Sequence, residues 1–156
     1  MNTMAPIRPT THLERRISLA AGPTAPGMAR SRVRAAIKAW DVPVDPSIAV
    51  LLTSELVTNA VRHEKGDTIT LVISSFCGQF CVDVHDTSPS EPITVDEPVD
   101  AEAGRGLMLV ASLSTSWGYY PTTAGKAVYF TLAFQGDLDK HGGPGPRGAA
   151  DTSGES

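Results

Sequence analysis

Apolar and polar positions alternate in several stretches of the chain, and each such stretch predicts a strand. In "HLERRISLA" (12–20), Leu13, Arg15, Ile17 and Leu19 share one parity, with Glu14, Arg16 and Ser18 on the other. "TITLVIS" (68–74) sets Ile69, Leu71 and Ile73 on one face. "FCVDVHD" (80–86) does the same with Phe80, Val82, Val84 and, at its end, Asp86, while Asp83 and His85 fall on the face expected to meet water. "AVYFTLAF" (127–134) aligns Val128, Phe130, Leu132 and Phe134, and "SWGYY" (116–120) reads as a shorter strand.

Between these runs the period changes to that of a helix. Residues 27–40 have helical composition and stop at Trp40 before "DVP". "DPSIAV" restarts a helix, with Asp45 as N-cap and Pro46 in the first helical position, and the pattern runs to about His63. "GLMLVASL" (106–113) predicts a short apolar helix opening straight after "GRG". The order β-α-α-β-β-loop-α-β-β predicts an α+β two-layer sandwich, a mixed and mostly antiparallel sheet covered on one face by helices. Its expected span is 12–134, after a flexible N-terminus (1–11) and before a disordered tail (135–156) rich in Gly, Asp and Pro.

Composition adds exclusions. At 156 residues and 41% hydrophobic content the chain is sized for one core. No apolar run approaches the roughly 20 residues that span a bilayer, and the N-terminus lacks the apolar core of a secretory signal, so the expected place is the cytoplasm. Net charge is −4, yet seven of 13 Lys and Arg fall within residues 1–40. Arg30, Arg34 and Lys38 recur at helical spacing, as on a solvated helix face, and no nucleic-acid motif accompanies them, so no direct nucleic-acid contact is expected. Cys77 and Cys81 read as free thiols rather than half of a zinc site.

Three polar features stand apart. Glu55 and Asn59 lie one turn apart on the shoulder of the apolar arc Ala49, Leu52, Leu56 and Ala60. They suit either a solvated pair or a site in which the Asn carbonyl holds Mg²⁺ and the Glu serves as base. Asp86, on the core parity at a strand end, needs a donor: a ligand amine, or its own chain in an Asx turn through "DTSP". "AGRGLMLV" puts Gly104 and Gly106 around Arg105 at an expected helix start, where bare N–H groups suit phosphate. The stretch 87–103 between them carries Pro89, Pro92 and Pro98, and a loop that long inside a domain is usually functional.

In this order, "ELVTNAVRH", Asp86, the Pro-rich loop and "GRGLMLV" resemble the GHKL superfamily, whose ATP site is the Bergerat fold, and most closely its small bacterial anti-sigma factor serine/threonine kinases. The resemblance covers roughly 12–134. It implies Asn59 as the Mg²⁺ ligand bridging ATP phosphates and Glu55 as the residue acting on the nucleophile. It implies Asp86 as acceptor for the adenine amine, with Gly104 and Gly106 against the phosphates. Arg105 and Leu107 flank them, towards phosphate and adenine, and Gly125 matches a glycine before the last strand. Where the family has Asp-x-Gly-x-Gly, this chain reads "DTSPS". The implied activity is transfer of the ATP γ-phosphoryl group to an anti-sigma factor antagonist, alternating with capture of a sigma factor. The alternative is a non-catalytic regulator of the same fold. Chain length argues against a sensor histidine kinase or a gyrase-like ATPase, and a homodimer is left open.

Overall fold

The computed structural model describes residues 12–63, 66–88 and 101–134, with the side chains of the last helix described from Gly106 onward. The expectations for 1–11, for most of the Pro-rich loop and for the tail from 135 lie outside the described residues. Eight elements run in the expected order. They are β1 (Leu13–Ala20), α1 (Ala25–Trp40), α2 (Pro46–His63), β2 (Thr68–Phe76), β3 (Gln79–Asp86), α3 (Ala101–Leu113), β4 (Ser116–Pro121) and β5 (Lys126–Ala133).

Local chemistry explains most of the element ends. In α1, Pro26 sits in the first turn, where its missing N–H has no helical partner to lose. Asp41 ends that helix in the left-handed conformation at φ 55°, its N–H returning to the carbonyls of Ile37 and Lys38. At the start of α2, the Ser47 N–H donates to Asp45 Oδ1 at 2.9 Å, the side-chain cap its sequence calls for. The β2–β3 hairpin turns on two residues with positive φ, Cys77 at 50° and Gly78 at 76°, the geometry that matches strand twist.

The strands form one sheet in the order β1-β2-β3-β5-β4, and every pairing is antiparallel. The α1–α2 pair returns the chain to the end of the sheet at which β1 stops, so β2 runs antiparallel beside it. The helices cover one face. There Leu52, Leu56 and Val57 of α2, Val33 of α1 and Val110 of α3 meet Ile69, Leu71, Phe80, Val82, Val84 and Phe130, all buried. At roughly 25 cal/mol per Å² of apolar surface, burial of this set is the main stabilising term. The Arg15 guanidinium lies 5.4 Å from the centre of the Trp40 ring, tying the edge strand β1 to the end of α1.

The other sheet face corrects one expectation. Asp83 does not point into water: it is 4% exposed and accepts from the Tyr120 hydroxyl at 2.7 Å and the Cys81 thiol at 3.1 Å. Tyr129, its register partner on β5, is buried on the same face, with its ring against Gly118 of β4. The sheet's own aromatic side chains lie down over this surface, so period-two patterning gives the face of Asp83 correctly and its solvent exposure wrongly. Neither cysteine forms a disulfide, Cys81 being buried and Cys77 exposed.

Candidate functional site

The candidate residues fall on two patches of the helix-covered layer, one on α2 and α3, the other at the ends of β3 and β5. On α2, Asn59 is 6% exposed and belongs to the buried face rather than its margin. Its amide nitrogen has no hydrogen-bond partner among the described residues. A buried amide without a partner is a costly arrangement that a ligand or bound water completes. Rotating the amide exchanges its ends, so the same position presents either a donor to a phosphate oxygen or a carbonyl to a hard cation.

Glu55, one turn earlier, is half-buried and packs against α3. A methyl group added at Gly106 would collide with Glu55 Oε1 and stand 3.4 Å from its Cδ. The bare backbone of α3 therefore makes room for the carboxylate. Leu107 and Val110, buried in the core, anchor α3 so that Gly106 faces α2. Residues 51 positions apart in sequence thus frame one small polar niche. Beside it, Arg30 of α1 donates to the Ser54 hydroxyl at 2.9 Å, so this arginine braces α2 instead of standing on a solvated face.

α3 begins at Ala101 and not after "GRG". Gly104 and Arg105 are therefore within the helix, and Gly106 is beyond its first turn. Within this helix the N–H groups left without an intrahelical partner are those of residues 101–103, so Gly104 already lies past them. Gly106 contributes space for Glu55 rather than a free N–H. Leu107 is 3% exposed and packs into the core.

At the strand ends, Asp86 is buried on the inner face, as its parity requires, and it is already partnered. Lys126 Nζ lies 3.1 Å from both carboxylate oxygens, with the two side chains 3% and 0% exposed. The Ser88 N–H adds a 2.8 Å bond to Oδ1, so the Asx turn through "DTSP" is also present. Lys126 sits directly opposite Asp86 in the β3–β5 register. Gly125 makes this approach possible: a Cβ there would overlap the Asp86 carbonyl oxygen and lie 2.6 Å from Thr87 Cα. Lys126 is the site residue that sequence reading missed. Its signal was available, since it shares the inner parity of Val128, Phe130 and Leu132.

The fit to a magnesium nucleotide differs between the patches. The α2–α3 niche fits the phosphate and metal end: a buried amide nitrogen lacking a partner among the described residues, a carboxylate one turn away, and a glycine that keeps the space open. Among the described residues no group of three or more His, Cys, Asp or Glu could hold a metal. One protein oxygen supplemented by phosphates and waters is the usual arrangement for Mg²⁺. At the base end, the carboxylate that would accept an amine is bonded to Lys126. A cavity of about 330 Å³ lies apart from both patches, on the opposite sheet face by His12, Ser74, Cys81 and Thr131.

A family model for the histidine kinase-like ATPase domain matches residues 19–132, from the end of β1 into the last residues of β5. No curated protein matches the chain. Among the described residues no helix is long and apolar enough to cross a membrane.

Proposed function

Starting from the premise that this chain belongs to the histidine kinase-like ATPase domain family, of GHKL type, we propose that it is a regulatory protein serine/threonine kinase. Its substrate would be an anti-sigma factor antagonist and its alternate partner a sigma factor, both met in the cytoplasm. Family membership makes ATP the expected nucleotide. The observation that carries the catalytic reading is the niche in which Glu55 lies over Gly106, one turn from an Asn59 amide nitrogen that has no partner among the described residues.

Bound Mg-ATP would supply the γ-phosphoryl group and its charge neutralisation. Asn59 would hold the metal through its side-chain oxygen. Glu55 would take the proton of the antagonist's serine hydroxyl, orienting that oxygen for attack. Its carboxylate is suited to this role because it lies over the bare backbone of Gly106 and is only partly buried, so a partner's side chain can reach it. Positioning of this kind is most of what protein contributes to phosphoryl transfer.

A second reading, a regulator that binds nucleotide and partner without phosphoryl transfer, draws on the closed Asp86–Lys126 pair and the glycine-free "DTSPS". The test is phosphorylation of an antagonist by the full chain with labelled ATP and Mg²⁺. Glu55→Ala should retain Mg-ATP binding and lose transfer, whereas Asn59→Ala should weaken both. Tight binding with no label on the antagonist would select the second reading. Glu55→Ala that still transfers phosphate would remove Glu55 from the chemistry.

A further inference from the structure

We propose that Lys126 sets the base selectivity of this site, holding with its ammonium both oxygens of the Asp86 carboxylate against competition from an adenine amine. A nucleotide is then held through its phosphates without a reading of the purine six-position. The inference rests on the nucleotide-binding reading above and concerns only its base end.

The acceptor inventory of Asp86 carries the argument. A carboxylate offers about four lone-pair directions. Lys126 takes one on each oxygen at 3.1 Å, and the Ser88 N–H takes a second on Oδ1 at 2.8 Å. One direction on Oδ2 remains, but the Asp86 side chain has no exposed surface, and an amine approaching Oδ2 would compete there with the Lys126 ammonium at 3.1 Å. That exchange is unfavourable on charge. The bond that would be lost is charge-assisted on both partners, the one gained on the carboxylate alone. The displaced ammonium would be left buried without its counter-ion. Nor is Lys126 placed to swing freely: it lies in β5, in register with Asp86 on one side and Pro121 on the other, and is 2% exposed.

A purely structural pair, pinning the end of β3 to β5, would share this geometry. Base selectivity separates the two. Calorimetry in Mg²⁺ should compare ATP with purine riboside triphosphate, which differs from it only in lacking the exocyclic amine. Wild-type protein should bind the two within about threefold. In Lys126→Thr the carboxylate is released, and ATP should gain a preference of roughly tenfold or more over the amine-free analogue, the size expected for one bond to a charged acceptor. A tenfold preference for ATP in the wild type would overturn the proposal, as would an unchanged ratio in a folded Lys126→Thr. Should that variant fail to fold by circular dichroism, the wild-type comparison decides alone. Failure of wild type and folded variant to bind either nucleotide would sink the nucleotide reading itself, and this proposal with it. That result differs from the selective binding that sinks the proposal alone.

Discussion

Lys126→Met should destabilise the fold far more than an ordinary lysine substitution. The change preserves much of the side-chain volume and removes the charge. Asp86, with no exposed side-chain surface, is then left with the Ser88 N–H as its remaining described donor. Breaking a buried pair by deleting one partner typically costs about 3–5 kcal/mol. For a domain of this size each kcal/mol moves the melting temperature by about 3–5 °C, so a fall of about 10–20 °C is expected. Asp86→Leu should cost a comparable amount by stranding the ammonium. The double variant Asp86→Leu/Lys126→Met should recover most of the loss, because a packed apolar pair is often as stable as a buried ionic one. Thermal and urea unfolding of these four proteins gives the cycle. A Lys126→Met variant within about 1 kcal/mol of wild type, or two losses that simply add, would refute the buried pairing.

Gly106→Ala should separate stability from catalysis. Helix propensity favours alanine by about 1 kcal/mol, and the collision is with the mobile end of Glu55, so the melting temperature should hold or rise while phosphoryl transfer falls at least tenfold. A fully active variant would show that the Glu55 position is immaterial. Gly125→Ala meets backbone at Asp86 and Thr87 instead, and should cost about 1–3 kcal/mol in denaturant unfolding; an unperturbed variant would contradict that close crossing. His85 has its pKa lowered from 6.5 by burial, with Arg16 acting in the same sense and Asp83 and Asp86 opposing. The unfolded chain therefore binds this proton more readily, so the stabilising share of neutral His85 is present above pH 6.5 and is lost as pH falls below it. His85→Gln should flatten the stability slope below pH 6.5, and an unchanged slope would assign the acid sensitivity elsewhere.

How much of this was legible in the sequence depends on the range of the interaction concerned. Strand parity is local, and it placed Phe80, Val82, Val84 and Asp86 on the inner face, where the structure has them. The Asp45 cap and Pro46 are equally local and gave the start of α2. The third helix failed at its beginning because Gly104 and Gly106 were read as a boundary. "AEA" supplies good helix formers ahead of them, and tertiary anchoring by Leu107 and Val110 outweighs the penalty of about 1 kcal/mol per glycine. Asp83 was misjudged because patterning knows the face of a residue and not what lies across that face.

The Asp86–Lys126 pair shows where local reading stops and what that implies about the site. Parity alone puts both side chains on the inner face at the ends of their strands. Whether they meet depends on register, and register is set by the 122–125 turn and by which strands are neighbours. Only the order β3-β5-β4 sets Lys126 opposite Asp86. Once it does, the chemistry of the two patches diverges. The α2–α3 niche keeps a buried amide nitrogen without a partner among the described residues, an arrangement with an energetic cost that a ligand relieves. The strand-end patch has its charges mutually satisfied, and such a pair has no clear stability advantage over an apolar one. Stability alone therefore does not account for a lysine at 126. Under the proposed nucleotide reading, its placement on Asp86 makes specificity the more direct explanation, and assigns the binding to the phosphate end.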